Sequence, residues 1–424
     1  MIKFTNEIAL ITAVSDLKMF LDKVKGLTLE LLSIASRSKG EKSPSGPIKT
    51  HKDLPPFKSS AMDGFALKRS NWTSSRDKIF SIIGQSLAGH PFQGTTQNND
   101  CIRIFTGAKI PDEYDLIILQ EQVDYIDRTR VCFLDHDPDE TYVRPVGHDR
   151  KLGSVICRQG QRINPIILST LSASGIAKIR VFRKPTVGVF SSGDELVSAD
   201  TEHENLKDGQ IFESNRQFLL SALKNLDLNL IDYGNIPDTK EITTQSLSKA
   251  AKECDLVITS GGVSVGDADF ITTTIKEIGS LGFWRLNLKP GKPLAFGEID
   301  NCKILGLPGN PVSTIITTLL IANPLIDHMS GALPKNPLKI KATCKATINH
   351  SVGRTEYQRA KFFNDENGSF FVEQLEDQSS NRLSSFTDSN CLLEIPDTKG
   401  NISAGEEVTI FPLVDTGLVG RQIR

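Results

Sequence analysis

Thr186-Val187-Gly188-Val189-Phe190 is a short, almost unbroken apolar run that leads into Ser191-Ser192-Gly193-Asp194-Glu195-Leu196, a small-residue loop carrying two acids. The arrangement recurs twice. Asp255-Leu256-Val257-Ile258-Thr259 runs into Ser260-Gly261-Gly262-Val263-Ser264-Val265-Gly266-Asp267-Ala268-Asp269, and Cys302-Lys303-Ile304-Leu305-Gly306 runs into Leu307-Pro308-Gly309-Asn310-Pro311. Leu228 to Tyr233 is a fourth such run. Strands that are apolar on consecutive residues have both faces buried. Helical stretches alternate with them: Arg216 to Leu226, Thr243 to Glu253, Phe270 to Ile278 and Val312 to Ile326. The alternation predicts a doubly wound, mostly parallel α/β domain over residues 181–330.

On either side the pattern changes. Leu10, Val14, Leu17, Leu21 and Val24 line one face of a helix expected over Ile8 to Ala35. Ser36 to Lys52, rich in Lys, Ser, Pro and Gly, reads as an exposed connector. Residues 54–144 hold short β-rich runs (Ile79 to Ile83, Cys101 to Phe105, Asp115 to Leu119, Val131 to Leu134) punctuated by Gly, Pro, Asn and Asp, and so a small β-domain. Helix returns over Ile163 to Ala177. Residues 331–424 read as a C-terminal, barrel-like β-domain with turns at Gly353, Gly368, Gly400 and Gly405. The fold class expected is multidomain, α/β plus β.

Composition narrows the function. The 49 Lys and Arg against 51 Asp and Glu leave a formal charge of −2, so no general field for nucleic acid is expected. No stretch approaches the ~18 uncharged apolar residues of a membrane span. Ile315 to Ile326 comes nearest, but contains Thr317, Thr318, Asn323 and Pro324. Met1 to Leu10 lacks the apolar core of a leader, and a cytoplasmic location is expected. The seven cysteines are widely spaced with no C-x-x-C, which favours buried thiols over a zinc site or disulfide framework. Neither a Ser/His/Asp arrangement, an H-x-x-x-H, a G-x-G-x-x-G after a strand nor a P-loop is present.

Chemistry is therefore expected at the carboxyl ends of the strands. Glycines let backbone N–H groups approach an anion and helix N-termini add a favourable dipole, so the Gly261-Gly262 loop suits phosphate, the other reading of any single such loop being a tight connection. Asn310 is placed as a helix cap, with Pro311 at the first helical position. Asp194, Glu195, Asp267 and Asp269 would repel that anion unless a hard cation such as Mg²⁺ stood between them; capping is the other reading of Asp267. In Lys289-Pro290-Gly291-Lys292-Pro293 two prolines stiffen a loop that holds two point charges suited to tetrahedral oxyanions, the other reading being a solvated surface pair. Asp63-Gly64, taken alone, reads as a turn.

In order, Leu54-Pro55-Pro56-Phe57, Ser60-Ala61-Met62-Asp63-Gly64, Arg103-Ile104-Phe105-Thr106-Gly107-Ala108, Gln120-Glu121, Ser192-Gly193-Asp194-Glu195-Leu196, Asp208-Gly209-Gln210-Ile211, Ser214-Asn215-Arg216, the Gly261-Gly262 loop, Lys289 to Pro293 and Gly306 to Ser313 resemble the molybdopterin molybdenumtransferase family, which includes bacterial MoeA and the gephyrin E domain. The resemblance implies insertion of molybdenum from molybdate into adenylylated molybdopterin, with Mg²⁺-dependent release of AMP. It groups 1–53 with 145–180 as an elongated helical and linker domain. It implies a homodimer in which the β-domain of one protomer faces the α/β domain of the other, and a molybdopterin adenylyltransferase as pathway partner. By position, Asp63, Thr106, Glu195, Lys289 and Lys292 would serve the reaction. Ser192, Gly193, Asp194, Gly261, Gly262, Ser264, Asp267, Pro308, Gly309, Asn310, Pro311 and Ser313 would bind the pterin substrate, with Asp194, Glu195 and Asp267 as metal ligands. Ser380 is carried over from the C-terminal domain.

The chain departs from the family at Lys58-Ser59, at Gly147-His148-Asp149 and at Phe212-Glu213. The alternatives are an adenylyltransferase, which shares the α/β domain and its Gly-Gly loop, and a degenerate paralog acting as a scaffold or binding module.

Overall fold

A computed structural model describes residues 47–133, 141–179, 181–226, 228–263, 270–332 and 337–413. The helix expected over Ile8 to Ala35, and Ser264 and Asp267, lie outside them. The described residues divide into two compact units, one ending at residue 179 and one beginning at residue 181.

The first unit holds a six-stranded sheet of β1 (Gly64–Leu67), β2 (Ile79–Ser86), β3 (Asp100–Ile104), β4 (Leu116–Leu119), β5 (Val123–Tyr125) and β6 (Arg130–Phe133), in the order β4-β1-β3-β2-β6-β5. Only the β2–β3 pair is parallel. The period of two is strict: Phe65, Leu67, Cys101, Leu116 and Ile118 enter one core, and Ala66, Ile102, Ile104 and Ile117 enter another. Gly64 opens β1 because a Cβ there would lie 2.0 Å from the Ile118 carbonyl oxygen.

Part of the expected connector is ordered backbone. Ile48–Lys49 pairs antiparallel with Val155–Cys157, a pairing that long-range hydrogen bonds decide and local composition does not. Helix α1 (Pro165–Ala173) is shorter than expected: the Asn164 side chain accepts from Ile167 N–H at 2.8 Å, and Gly175 ends it at φ +71°. Gly147, at φ +68°, turns the chain so that its N–H reaches the Pro55 carbonyl at 2.9 Å, which accounts locally for the Gly147-His148-Asp149 departure.

The second unit begins with β7 (Thr186–Ser192), α2 (Asn215–Leu223), β8 (Asn229–Ile236), α3 (Lys240–Glu253), β9 (Leu256–Ser260) and α4 (Phe270–Ile278). It continues through β10 (Ser280–Trp284), β11 (Ala295–Ile299), β12 (Cys302–Leu307) and α5 (Pro311–Thr317). The sheet order is β8-β7-β9-β12-β11-β10, the first four strands parallel and the last two antiparallel. Both faces are covered, as the apolar strands require. Leu219 and Leu223 of α2 with Val312 and Ile316 of α5 pack on one face, and Leu247 of α3 with Ile271 and Ile275 of α4 on the other. The antiparallel edge was not legible, because glycines interrupt it: at Gly297 a Cβ would meet Ile275 at 2.5 Å, so the strand gives up a side chain where α4 approaches.

From Pro311 the helix continues through a π-turn (Thr318–Ala322) into Asn323–Met329. Pro324 has no N–H to offer the preceding turn, and the π-turn absorbs the misfit. The run is long and apolar enough to cross a membrane by length and composition, yet 61% of its most apolar window is buried inside the protein, where Ile316, Ile321, Leu325 and Ile326 form core.

The C-terminal strands β13 (Ile340–Cys344), β14 (Thr355–Asn364), β15 (Phe370–Gln374), β16 (Cys391–Ile395) and β17 (Glu407–Pro412) close a five-stranded barrel through the circuit β14-β15-β13-β17-β16-β14. Leu288–Lys289 adds to it in parallel, pairing Leu288 with Thr355 and Lys289 with Glu356. Tyr357, Leu392 and Phe411 extend the core beneath α5 into this barrel. All seven cysteines are free, and six are buried.

Gly64→Ala forces a methyl into the Ile118 carbonyl, and overpacking of this kind costs about 1–3 kcal/mol or more. Urea unfolding is expected to show that loss; an unchanged midpoint would mean that β1 and β4 separate without cost.

Candidate functional site

Three loops leave the parallel sheet side by side because the strands end level. The ladder pairs Ser191 of β7 with Ser260 of β9, and Ser260 with Leu307 of β12. Beyond that row the backbones touch. Gly261 N–H donates to the Leu307 carbonyl at 3.1 Å, and Ser260 Oγ to the Pro308 carbonyl at 3.4 Å. Gly261 has φ +95°, and a Cβ on it would stand 2.5 Å from the Ser192 carbonyl oxygen; Gly262, at φ +68°, would put one 2.7 Å from Ile271. Only glycine fits both turns. Asn235 Nδ2 donates to the Gly193 carbonyl at 2.8 Å and Asn215 Nδ2 to the Gly309 carbonyl at 2.6 Å, so two amides brace the outer loops.

The carboxylates gather on the first loop. Asp194 and Glu195 are exposed, and the Glu195 carboxylate lies where a Gly193 Cβ would be, 2.4 Å from Oε2. Asp238, which sequence reasoning did not single out, joins them: Ser192 Oγ donates to Asp238 Oδ1 at 2.8 Å, and Asp238 N–H to Asp194 Oδ1 at 3.1 Å. It sits just past the neighbouring strand β8, so no local motif marks it.

On the third loop Pro311 opens α5 as expected, but Asn310 does not cap with its side chain. The Val312 N–H instead donates to the carbonyl of Ser380, from the barrel, at 3.1 Å. A backbone acceptor reached through tertiary packing has displaced the local cap. Ser313 is buried, and Thr314 Oγ1 donates to the Pro308 carbonyl at 2.6 Å, tightening the turn.

The two lysines differ. Lys289 Nζ lies 3.1 Å from Oε1 of Glu356, whose side chain is only 5% exposed, so its charge is partnered. Lys292 is exposed and has no ion pair among the described residues. The hairpin that carries them is closed by Leu286 N–H to the Lys292 carbonyl at 2.9 Å, and Gly291 rests on α5, where a Cβ would meet Thr317 at 2.9 Å. Trp284 ties the base of this hairpin to the Gly-Gly loop, its Nε1–H donating to the Val263 carbonyl at 2.8 Å.

In the other unit the Asp63-Gly64 turn belongs to a knot of three segments. Asp63 Oδ1 accepts from Thr106 N–H at 2.7 Å and from Thr106 Oγ1 at 2.8 Å. Gly107 N–H donates to the Ser60 carbonyl, and Gln120 N–H to that of Asp63. The Thr106 backbone N–H first, then its hydroxyl and the Arg103 charge, hold the Asp63 carboxyl below the usual range. The departures have local roles. Lys58 Nζ donates to the carbonyls of Asp112 at 2.6 Å and Tyr114 at 2.9 Å. Glu213 is buried and accepts from Arg216 N–H at 2.6 Å, at the start of α2.

Three family models match the chain in order: the MoeA N-terminal region (domain I and II) over residues 18–175, a probable molybdopterin binding domain over residues 188–328, and the MoeA C-terminal region (domain IV) over residues 341–413. Fold and loops together thus define a MoeA-type protein. The chain is 38% identical over 361 residues to the molybdopterin molybdenumtransferase of Haemophilus influenzae, covering 85% of this chain and 88% of that one. It is 30% identical over 414 residues to gephyrin of Dictyostelium discoideum, covering 85% of this chain and 56% of that protein. A molybdopterin biosynthesis moeA protein structure from Pyrococcus horikoshii OT3 superposes with a TM-score of 0.71 at 29% identity, over 87% of this chain and 90% of that one. The chain belongs to the molybdopterin molybdenumtransferase family.

Because its folded value is depressed, the Asp63 carboxylate contributes stability that is fully present above the ordinary unfolded value and is lost as pH falls through the folded one. Thr106→Val deletes the hydroxyl donor and is expected to move the Asp63 titration upward toward the ordinary carboxylate value, read by carbon NMR of the labelled carboxyl. An unmoved titration would remove the hydroxyl from the account.

Proposed function

We propose that the chain is an enzyme of molybdenum cofactor biosynthesis that transfers molybdenum from molybdate to adenylylated molybdopterin and releases AMP. The observation that carries the site reading is the level row Ser191, Ser260, Leu307, whose continuing loops bring Gly193, Gly261, Gly262 and Gly309 together at one sheet edge. Gly193 and Gly261 donate their own N–H groups to the Ile236 and Leu307 carbonyls and so fix the loops, which leaves the Gly262 and Gly309 N–H groups to face the substrate phosphates, with Ser192, Pro308, Pro311 and Ser313 shaping the turns around them. Lys292, with Lys289 beside it, draws in the molybdate.

Two reactant anions about 4 Å apart repel by ~1 kcal/mol in water and by ~4 kcal/mol at the effective dielectric of a protein surface. Held cations must offset that cost. Asp194 and Glu195 supply the oxygen donors that a hard divalent ion takes. Among the described residues no three His, Cys, Asp or Glu side chains gather as a metal cage; in this reading Asp194 and Glu195 hold the ion together with substrate oxygens and water, and the family resemblance adds Asp267, which lies outside the described residues. Bound Mg²⁺ would supply charge neutralisation at the phosphoanhydride. The chain's own contribution is placement: the carboxylates orient, the Gly262 and Gly309 N–H groups bind, and no covalent protein intermediate is needed.

The proposal includes a homodimer in which Asp63 and Thr106 of one protomer serve the loops of the other; the family resemblance supports it. Purified protein given adenylylated molybdopterin is expected to release AMP only with both Mg²⁺ and molybdate. AMP release indifferent to molybdate would overturn the reading. Asp63→Ala and Lys292→Ala are each expected to lower turnover at least tenfold, an effect of the size typical for removing one electrostatic group. Co-refolding the two impaired variants should raise activity above that of either alone, since a mixed dimer retains one intact site. Activity no higher than that of the single variants would exclude a shared site.

A further inference from the structure

The barrel reaches the lysine loop through a buried carboxylate. Lys289 lies on the short strand that pairs in parallel with β14, directly opposite Glu356. Glu356 is almost fully buried, and its two oxygens face Lys289 Nζ at 3.1 and 3.2 Å. His350, itself buried, packs on the other side with Nε2 3.6 Å from Glu356 Oε2, while its Nδ1 makes a 2.8 Å hydrogen bond to the Lys399 carbonyl. A carbonyl only accepts, so Nδ1 is the donor and the ring is locked in place. Arg359, on the same strand, adds its field. A buried carboxylate is costly unless paired, and here the pairing group is half exposed: 51% of the Lys289 side chain faces solvent.

We propose that Glu356 is a positioning residue for the oxyanion substrate: it fixes the Lys289 ammonium so that its remaining N–H groups are aimed outward, while the exposed Lys292, with no ion pair among the described residues, supplies the net charge. This rests on the reading of the lysine loop as the molybdate site. Long-range attraction and aimed donors are thereby divided between two lysines three residues apart, and the C-terminal barrel acts in the reaction through the fold of one strand.

The test is a cycle on the full-length protein, with molybdate as the titrated ligand. Removing a negative charge beside a cation would, by attraction alone, tighten anion binding; loss of positioning weakens it. Glu356→Gln is expected to raise the KM and Kd for molybdate about tenfold, the scale of one charge-assisted hydrogen bond, with kcat changed much less. In a Lys289→Ala background the same substitution should add nothing further, and Glu356→Asp, which keeps the charge, should recover part of the loss. Unchanged or tighter molybdate binding in Glu356→Gln would overturn the proposal, as would an equal loss in the Lys289→Ala background. Lys292→Ala separates the two ideas: if it too leaves molybdate binding unaltered, the oxyanion reading of the loop fails, whereas weakened binding in Lys292→Ala alone confines the failure to Glu356.

Discussion

The structure depends on a register. Three parallel strands end on the row Ser191, Ser260, Leu307, and each continues into a loop whose backbone is allowed close to its neighbour only by missing side chains at Gly261 and Gly262. A slip of one residue in any strand would invert its buried face, and the helices on both faces forbid that. The placing of the N–H groups is thus a consequence of core packing, and the site inherits the rigidity of the sheet.

Charge is then added to this frame from four directions. Asp194 and Glu195 come with the first loop and Asp238 from the turn after β8. The lysines come on a hairpin leaning on α5, and the Ser380 carbonyl and Glu356 come from the barrel. Opposite signs are kept apart by different elements, so the acids crowd the first loop while the ammonium groups stand on the hairpin. In the proposed reaction this separation lets the site neutralise two anions without the charges collapsing onto each other.

Besides the Gly147 turn, two departures from the family pattern have structural explanations in their side-chain bonds. Lys58 ties two carbonyls of the β-domain together, and Glu213 holds the first turn of α2. Neither replaces a group on the three loops. The same β-domain keeps the Asp63–Thr106 pair, whose hydrogen bonds hold the carboxylate ionised.

Much was written in the order of residues. Continuous apolar runs at Val187 to Phe190 and Leu256 to Thr259 demanded a sheet covered on both sides, and the glycines and prolines after them marked where each strand must stop, because those properties act locally. The resemblance carried by Asp63, Glu195 and the lysine loop was legible for the same reason. What the tertiary structure decided was partnership. Asn310 had the right side chain for a cap and lost the role to Ser380, about seventy residues on; Lys289 and Lys292 look alike in sequence but differ in that only one meets Glu356; Asp238 carries no motif at all. Hydrogen bonds and ion pairs of this range depend on which strands lie adjacent, and adjacency is a property of the folded sheet that no local window contains.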